Sequence, residues 1–247
     1  MPEIFIPIEI YFFFFLIAML YSSVGHGGAS GYIAVLSIFG ILSSSLTSIP
    51  LALNVIVAST SFYHFYKSGF FDAKLLIPFI ITSIPASYVG GLISVPKNIF
   101  EIILSITLIL ASARLFLFNK VKIENNFKYS IPFSLLIGLV LGFISGLIGI
   151  GGGVFLSPII LFFGWANSKT TAATSSAFII LNSMSGLFAN AYKGNFNFEI
   201  ILPFIFVVIG GAYLGALIGT QKLSAKKLQS VLGLVLLVSG IKIMFSI

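Results

Sequence analysis

Long apolar runs, broken by short polar punctuation, divide the 247-residue chain into segments too long for barrel strands. Barrel strands alternate over about ten residues, and these runs do not alternate. Backbone groups in hydrocarbon must bond within their own segment, so continuous apolar runs of this length predict helices. In the first half the predicted helices span roughly 4–24, 28–42, 46–66, 74–94 and 98–118. In the second half they span roughly 131–148, 153–164, 168–191, 198–220 and 225–246. The expected fold class is an all-α polytopic membrane protein of two inverted-topology repeats, each of about five helical segments. The expected organisation is a first membrane repeat over 1–118, a charged cytoplasmic linker over 119–130 and a second membrane repeat over 131–247. Lys120, Lys122, Glu124 and Lys128 supply the linker's charge.

The halves share a series of features in the same order. Gly25-His26-Gly27-Gly28 answers Gly149-Ile150-Gly151-Gly152-Gly153, and Asn54 answers Asn182. Tyr66-Lys67-Ser68-Gly69 answers Tyr192-Lys193-Gly194, Pro78 answers Pro203, and Tyr88-Val89-Gly90-Gly91-Leu92 answers Tyr213-Leu214-Gly215-Ala216-Leu217. The second segment of each half is short. At 1.5 Å per residue these segments reach only roughly 22 Å and roughly 18 Å, against a hydrocarbon core of about 30 Å. Each follows glycines, so a glycine-broken, short or re-entrant helix is expected near the midplane of each half. Paired interruptions of this kind point to the binding site of a transporter.

Composition narrows the class. Hydrophobic residues make up 58% of the chain and charged residues 8%, whereas soluble domains carry about 25% charge. Soluble enzymes, nucleic-acid readers and disordered tails are excluded. The net charge of +7 reads as cytoplasmic loops facing anionic membrane lipid, not as a nucleic-acid surface. An outside N-terminus with an odd number of crossings per half puts ten basic residues inside and leaves Lys97, Lys193 and Lys242 outside. That distribution fits positive-inside placement in a multi-pass cell inner (plasma) membrane protein. There is no cysteine, so disulfides and thiol relays are excluded. The N-terminus carries Glu3 and Glu9 in place of a basic region and is not expected to be removed.

The glycine breaks carry the candidate chemistry. A helix N-terminus presents unpaired N–H groups and the positive end of the helix dipole, which suit an anion. The helices starting near Gly28 and Gly153 offer two such ends, aimed by inverted repeats at one region. Candidate substrate-binding residues are Gly25, His26, Gly27, Gly28 and Asn54 in the first half, with Gly149, Gly151, Gly152, Gly153, Ser175 and Asn182 in the second. Asn54 and Asn182 each follow Thr47 and Ser175 by seven residues, on one helical face. Close helix packing by small residues, with interhelical bonds from Ser, Thr and Asn, is the structural alternative. His26 is the titratable side chain within the glycine motifs and offers either a donor or a proton carrier. Asp72 and Glu199 fall in loops, which disfavours a carboxylate relay. No cofactor or metal site is expected, and coupling to H⁺ or Na⁺ is left open.

The motif Gly149-Ile150-Gly151-Gly152-Gly153, followed by Pro158, Thr174-Ser175 and Asn182, resembles the sulfite exporter TauE/SafE family. The weaker copy Gly25-His26-Gly27-Gly28 does so too. The resemblance spans both halves and implies an internally duplicated carrier of sulfite, sulfonates or related sulfur-containing anions. The leading expectation is therefore a transporter, not an enzyme, that moves a small sulfur anion by alternating access. The alternatives are a passive anion channel and an intramembrane hydrolase built from Ser23 or Ser30 with His26.

Overall fold

A computed structural model describes residues 6–23, 25–41, 47–117, 130–196, 198–220 and 225–246. The charged stretch expected as a linker lies outside the described residues. All regular structure among the described residues is helical: α1 (Ile8–Ser22), α2 (Ala29–Ile38), α3 (Ser48–Lys67), α4 (Ala73–Leu92), α5 (Lys97–Leu117), α6 (Ile131–Ile148), α7 (Gly153–Phe162), α8 (Ser168–Tyr192), α9 (Phe198–Thr220) and α10 (Ala225–Ser246). The two short helices are shorter than the sequence suggests, at 10 residues each. At 1.5 Å per residue each covers about 15 Å, half a bilayer core.

The helix starts differ in how they are capped. Asp72 accepts from the Lys74 and Leu75 N–H groups at the head of α4. Asn167 does the same for Lys169 and Thr170 at the head of α8. These are ordinary side-chain N-caps. α2 and α7 instead begin on Gly28 and Gly152, both left-handed, with no side-chain hydrogen bond from the cap residue. Only glycine enters that conformation without a steric penalty.

Polarity is distributed as hydrocarbon demands. Ser22, Asn54, Ser61, Ser83, Ser87, Ser175 and Asn182 are buried, while Ile81, Leu136, Phe206 and Leu234 point outward. Apolar side chains gain nothing by hiding from lipid, so close backbone contact and interhelical hydrogen bonds hold such helices together. Gly138, Gly142 and Gly146 repeat at four-residue intervals along α6. A Cβ at these positions would strike the carbonyl oxygens of Phe79, Ser83 and Ser87 on α4. On α9, Gly211 and Gly215 meet the carbonyls of Phe15 and Met19 on α1 in the same way. Residue numbers rise together in both pairs, so each pair runs parallel. α3 and α8 run antiparallel, because Thr47 bonds Asn190 while Asn54 bonds Ser183. α5 and α10 are joined through the Ser112 hydroxyl, which donates to the Gly233 carbonyl at 2.7 Å.

Four described helices are long and apolar enough to cross a membrane: Ala73–Leu92, Ile131–Ile148, Ser168–Tyr192 and Phe198–Ile218. Together with the lipid-like outer surface, they make this a membrane protein.

Candidate functional site

The two glycine breaks meet in the interior, and Asn54 of α3 joins them. Its side chain is 1% exposed. The Oδ1 atom accepts from the Ala29 N–H at 3.1 Å, capping α2 from another helix, whereas Asp72 caps α4 from the residue just before it. The Nδ2 group donates to the Ile150 carbonyl at 3.2 Å, inside the second break, and to Ser183 Oγ of α8 at 2.8 Å. One amide thus ties α2, the α6–α7 break and α8 together. The fit is tight, because a Cβ at Gly27 would collide with Asn54 Oδ1 and one at Gly151 with Asn54 Nδ2.

Ser157 joins His26 of the first break to Ser175 of α8 in a second buried contact. Ser157 of α7 donates to Ser175 Oγ at 2.7 Å, and its oxygen lies 3.2 Å from His26 Nε2. His26 is 5% exposed. Ser176 adds a bond of 2.8 Å to the Gly25 carbonyl. The first break is therefore held by α3, α7 and α8.

Asn182 does not take the place the sequence match gives it. Gly149 faces Thr47 and Gly25 faces Ala172, which sets Thr47 and Ala172 as opposite numbers. Seven residues on from each stand Asn54 and Ile179. Ile179 indeed approaches Gly27, Gly151 and Gly153. Asn182 lies on the next turn, where its Nδ2 donates to the Phe178 carbonyl of its own helix and its Oδ1 is buried without a partner. On that register Ile179, not Asn182, is the residue of α8 that meets the breaks as Asn54 of α3 does. The polar amide at the centre is single, not duplicated.

The serines considered as nucleophiles are bonded elsewhere. Ser23 donates to the Leu20 carbonyl at 2.6 Å, and Ser30 lies 2.8 Å from the Tyr21 hydroxyl. A hydroxyl that does reach His26 is that of Ser157, which no motif flagged. Tyr32 is fully buried and packs on Phe14, Trp165 stacks on Phe163, and Tyr192 is exposed.

A cavity of about 250 Å³ opens where α8 ends. Thr47, Ser94, Asn190, Lys193 and Asn195 supply its polar wall, and Gly146 and Leu147 lead from it toward the second break. Lys193 Nζ donates to the Gly91 carbonyl at 3.1 Å, and partial burial lowers its pKa from the usual lysine value.

Sequence comparison places this geometry in a family. The family model described as Sulfite exporter TauE/SafE matches residues 10–243. The chain belongs to the TauE/SafE family. A relative within reach of this TauE/SafE chain is the Probable membrane transporter protein y4hK of Sinorhizobium fredii. It is 34% identical over 236 residues, covering 94% of this chain and 96% of that one. Two Bacillus subtilis proteins, each named Probable membrane transporter protein, also match. YunE is 28% identical with 76% of each chain covered, and YjnA is 26% identical with 89% of this chain and 92% of its own covered. No solved structure matches the chain. The TauE/SafE match runs through both glycine breaks, and these family and relative names describe membrane transporters, not enzymes.

Proposed function

We propose that this TauE/SafE transporter carries a small sulfur-containing anion, such as sulfite or a sulfonate, bound between the two glycine breaks and moved by alternating access. The observation that carries the reading is the convergence of both breaks on the Asn54 amide. Its Oδ1 atom sits at the N-terminus of α2, where an oxyanion oxygen would accept the same N–H and meet the same dipole. In the closed arrangement Asn54 stands in for the anion. An arriving oxyanion takes the Ala29 N–H, frees the amide to donate to it, and loosens the link to Ile150. Neutral donors suit this task because a buried lysine or arginine at the midplane is costly.

Two inverted repeats supply the moving parts on this reading. The packing supports them, since α6 lies parallel to α4 as α1 lies parallel to α9, and α3 crosses α8 as its own counterpart. The first repeat covers 1–118 and the second 131–247, in a cell inner membrane with the N-terminus outside. Coupling to H⁺ through His26 or to Na⁺ is part of the same question.

Purified protein in proteoliposomes tests the proposal. Sulfite, sulfoacetate, taurine and sulfate are presented in turn, and saturable flux with exchange of at least one is expected. Absence of saturable flux for every anion overturns the transport reading, and unsaturating flux that carries current makes it a channel. The cysteine-free chain gives a clean background for testing alternation. Cysteines placed singly at Asn190 and at Phe65 should change reactivity toward an impermeant maleimide in opposite directions when substrate is added.

A further inference from the structure

Register makes the two ends of α3 and α8 directly comparable. With Thr47 opposite Ala172, Asn190 stands opposite Phe65. The two ends are built from different chemistry. At one, Thr47 donates to Asn190 Oδ1 at 3.2 Å and the wall is open, with a cavity of about 250 Å³. At the other, Phe65, Ala172 and Ala173 pack into an apolar plug with Phe70 and Phe71, and Ala172 sits directly on Gly25. The volume is below the roughly 300–1,000 Å³ of drug-sized pockets and suits a small solute.

The cavity's wall has the composition of an anion receptor. Lys193 is its charged residue, and no carboxylate lines it among the described residues. Its ammonium carries three donors, of which one reaches Gly91. Ser94 and Asn195 line the same space with side chains that make no hydrogen bond to other described residues. A lone cation in a low-dielectric recess concentrates anions from solution. The inner wall, Thr47, Gly146 and Leu147, leads to the break at Gly149.

We propose that this cavity is a second, peripheral anion site, in which Lys193, Ser94 and Asn195 receive the oxyanion or sulfonate on its way to the glycine breaks. The inference rests on the anion-transport reading above and adds the residues and the face at which the anion is collected. The competing role for Lys193 is a cap on the C-terminal carbonyls of α4, a place where a cation is favoured for structural reasons alone.

The concentration dependence of sulfite and sulfoacetate flux in proteoliposomes separates these roles, measured for wild type, Lys193→Arg, Lys193→Gln, Lys193→Glu and Asn195→Leu. Gln keeps a donor for the Gly91 carbonyl and drops the charge. A peripheral anion site predicts KM raised about tenfold in Lys193→Gln, as for loss of a charge-assisted contact. It predicts a larger rise in Lys193→Glu, near-normal KM in Lys193→Arg, and maximal rates within about twofold throughout. Asn195→Leu narrows the cavity with the charge intact and should raise KM as well. Wild-type KM in the Gln, Glu and Leu variants, with thermal stability alone affected, overturns the proposal and assigns Lys193 to capping. Wild type without saturable flux of either anion overturns the underlying transport reading, and this site with it.

Discussion

Gly151→Ala compared with Gly194→Ala isolates what the junction at Asn54 contributes. Both glycines are left-handed, at φ +77° and φ +75°, so alanine suffers the same backbone penalty at each. That penalty is about 1–2 kcal/mol. Around Gly194 nothing lies within 4 Å, so the backbone term is the whole effect. At Gly151 the new methyl runs into Asn54 Nδ2 and comes within 2.5 Å of Ser183 Oγ. Overpacking of this kind costs about 1–3 kcal/mol, and displacing the amide from a buried partner costs about 1–3 kcal/mol more. The expected excess of Gly151→Ala over Gly194→Ala is about 2–6 kcal/mol. At about 2–4 °C per kcal/mol for a chain of this size, it lowers the unfolding midpoint by on the order of 4–24 °C more. Thermal unfolding in one detergent, followed by intrinsic fluorescence or by aggregation-resistant monodispersity, measures the difference. Equal midpoints for the two variants would refute the claim that Asn54 is wedged between the breaks.

Asn54→Ala leaves the Ala29 N–H and the Ile150 carbonyl without their partner and should cost about 2–5 kcal/mol. Asn182→Ala removes a bond made within one helix and should cost about 1 kcal/mol or less; similar losses in thermal stability would undo the register that pairs Asn54 with Ile179. Gly142→Leu drives a side chain into the Ser83 backbone and should abolish monodisperse protein, whereas Gly40→Leu, which meets open space and bears only the strain of φ +72°, about 1–2 kcal/mol, should retain it in size-exclusion chromatography. Partial burial disfavours the charged form of Lys193. Its contribution to anion affinity is therefore full at neutral pH and fades as pH rises through a pKa below that of free lysine. KM for sulfoacetate should climb across the alkaline range in wild type and stay flat in Lys193→Arg, whose guanidinium keeps its charge.

Much of the fold was legible because hydrophobic run length and glycine placement are local signals. The ten described helices and both breaks follow from where apolar runs stop, and α2 and α7 start at Ala29 and Gly153, within a residue of the expected positions. Packing partners were less legible. The series Gly138, Gly142, Gly146 is plain in the sequence, yet only three dimensions show that it faces Phe79, Ser83 and Ser87. Ser157 was missed for a similar reason. A lone serine on a short apolar helix carries no signal until His26 and Ser175 are seen beside it.

The difference between the Asn54–Asn182 pairing and the contact register of Asn54 with Ile179 has a geometric cause that bears on the proposed mechanism. The two registers differ by three residues, which on an α-helix is some 300° and so nearly one turn. A slip of that size keeps polar residues close to the same face, and the serine- and threonine-rich sequence of α8 cannot reveal it. Corrected, the match exposes asymmetry at each level of the proposed duplication: Asn54 against Ile179 at the centre, and Asn190 against Phe65 at the ends. Two strictly equivalent halves would present the same surface to both sides of the membrane. An amide that caps α2 alone, with a polar cavity at one end and an aromatic plug at the other, makes the sides unequal. A polar opening and a packed apolar one differ in the energy needed to wet them. Directional preference should therefore reside in the Asn190 and Phe65 ends. Phe65→Asn is expected to raise access from the plugged side, read as faster labelling of a cysteine placed at Ala173 by an impermeant maleimide. Unchanged labelling would place the barrier elsewhere.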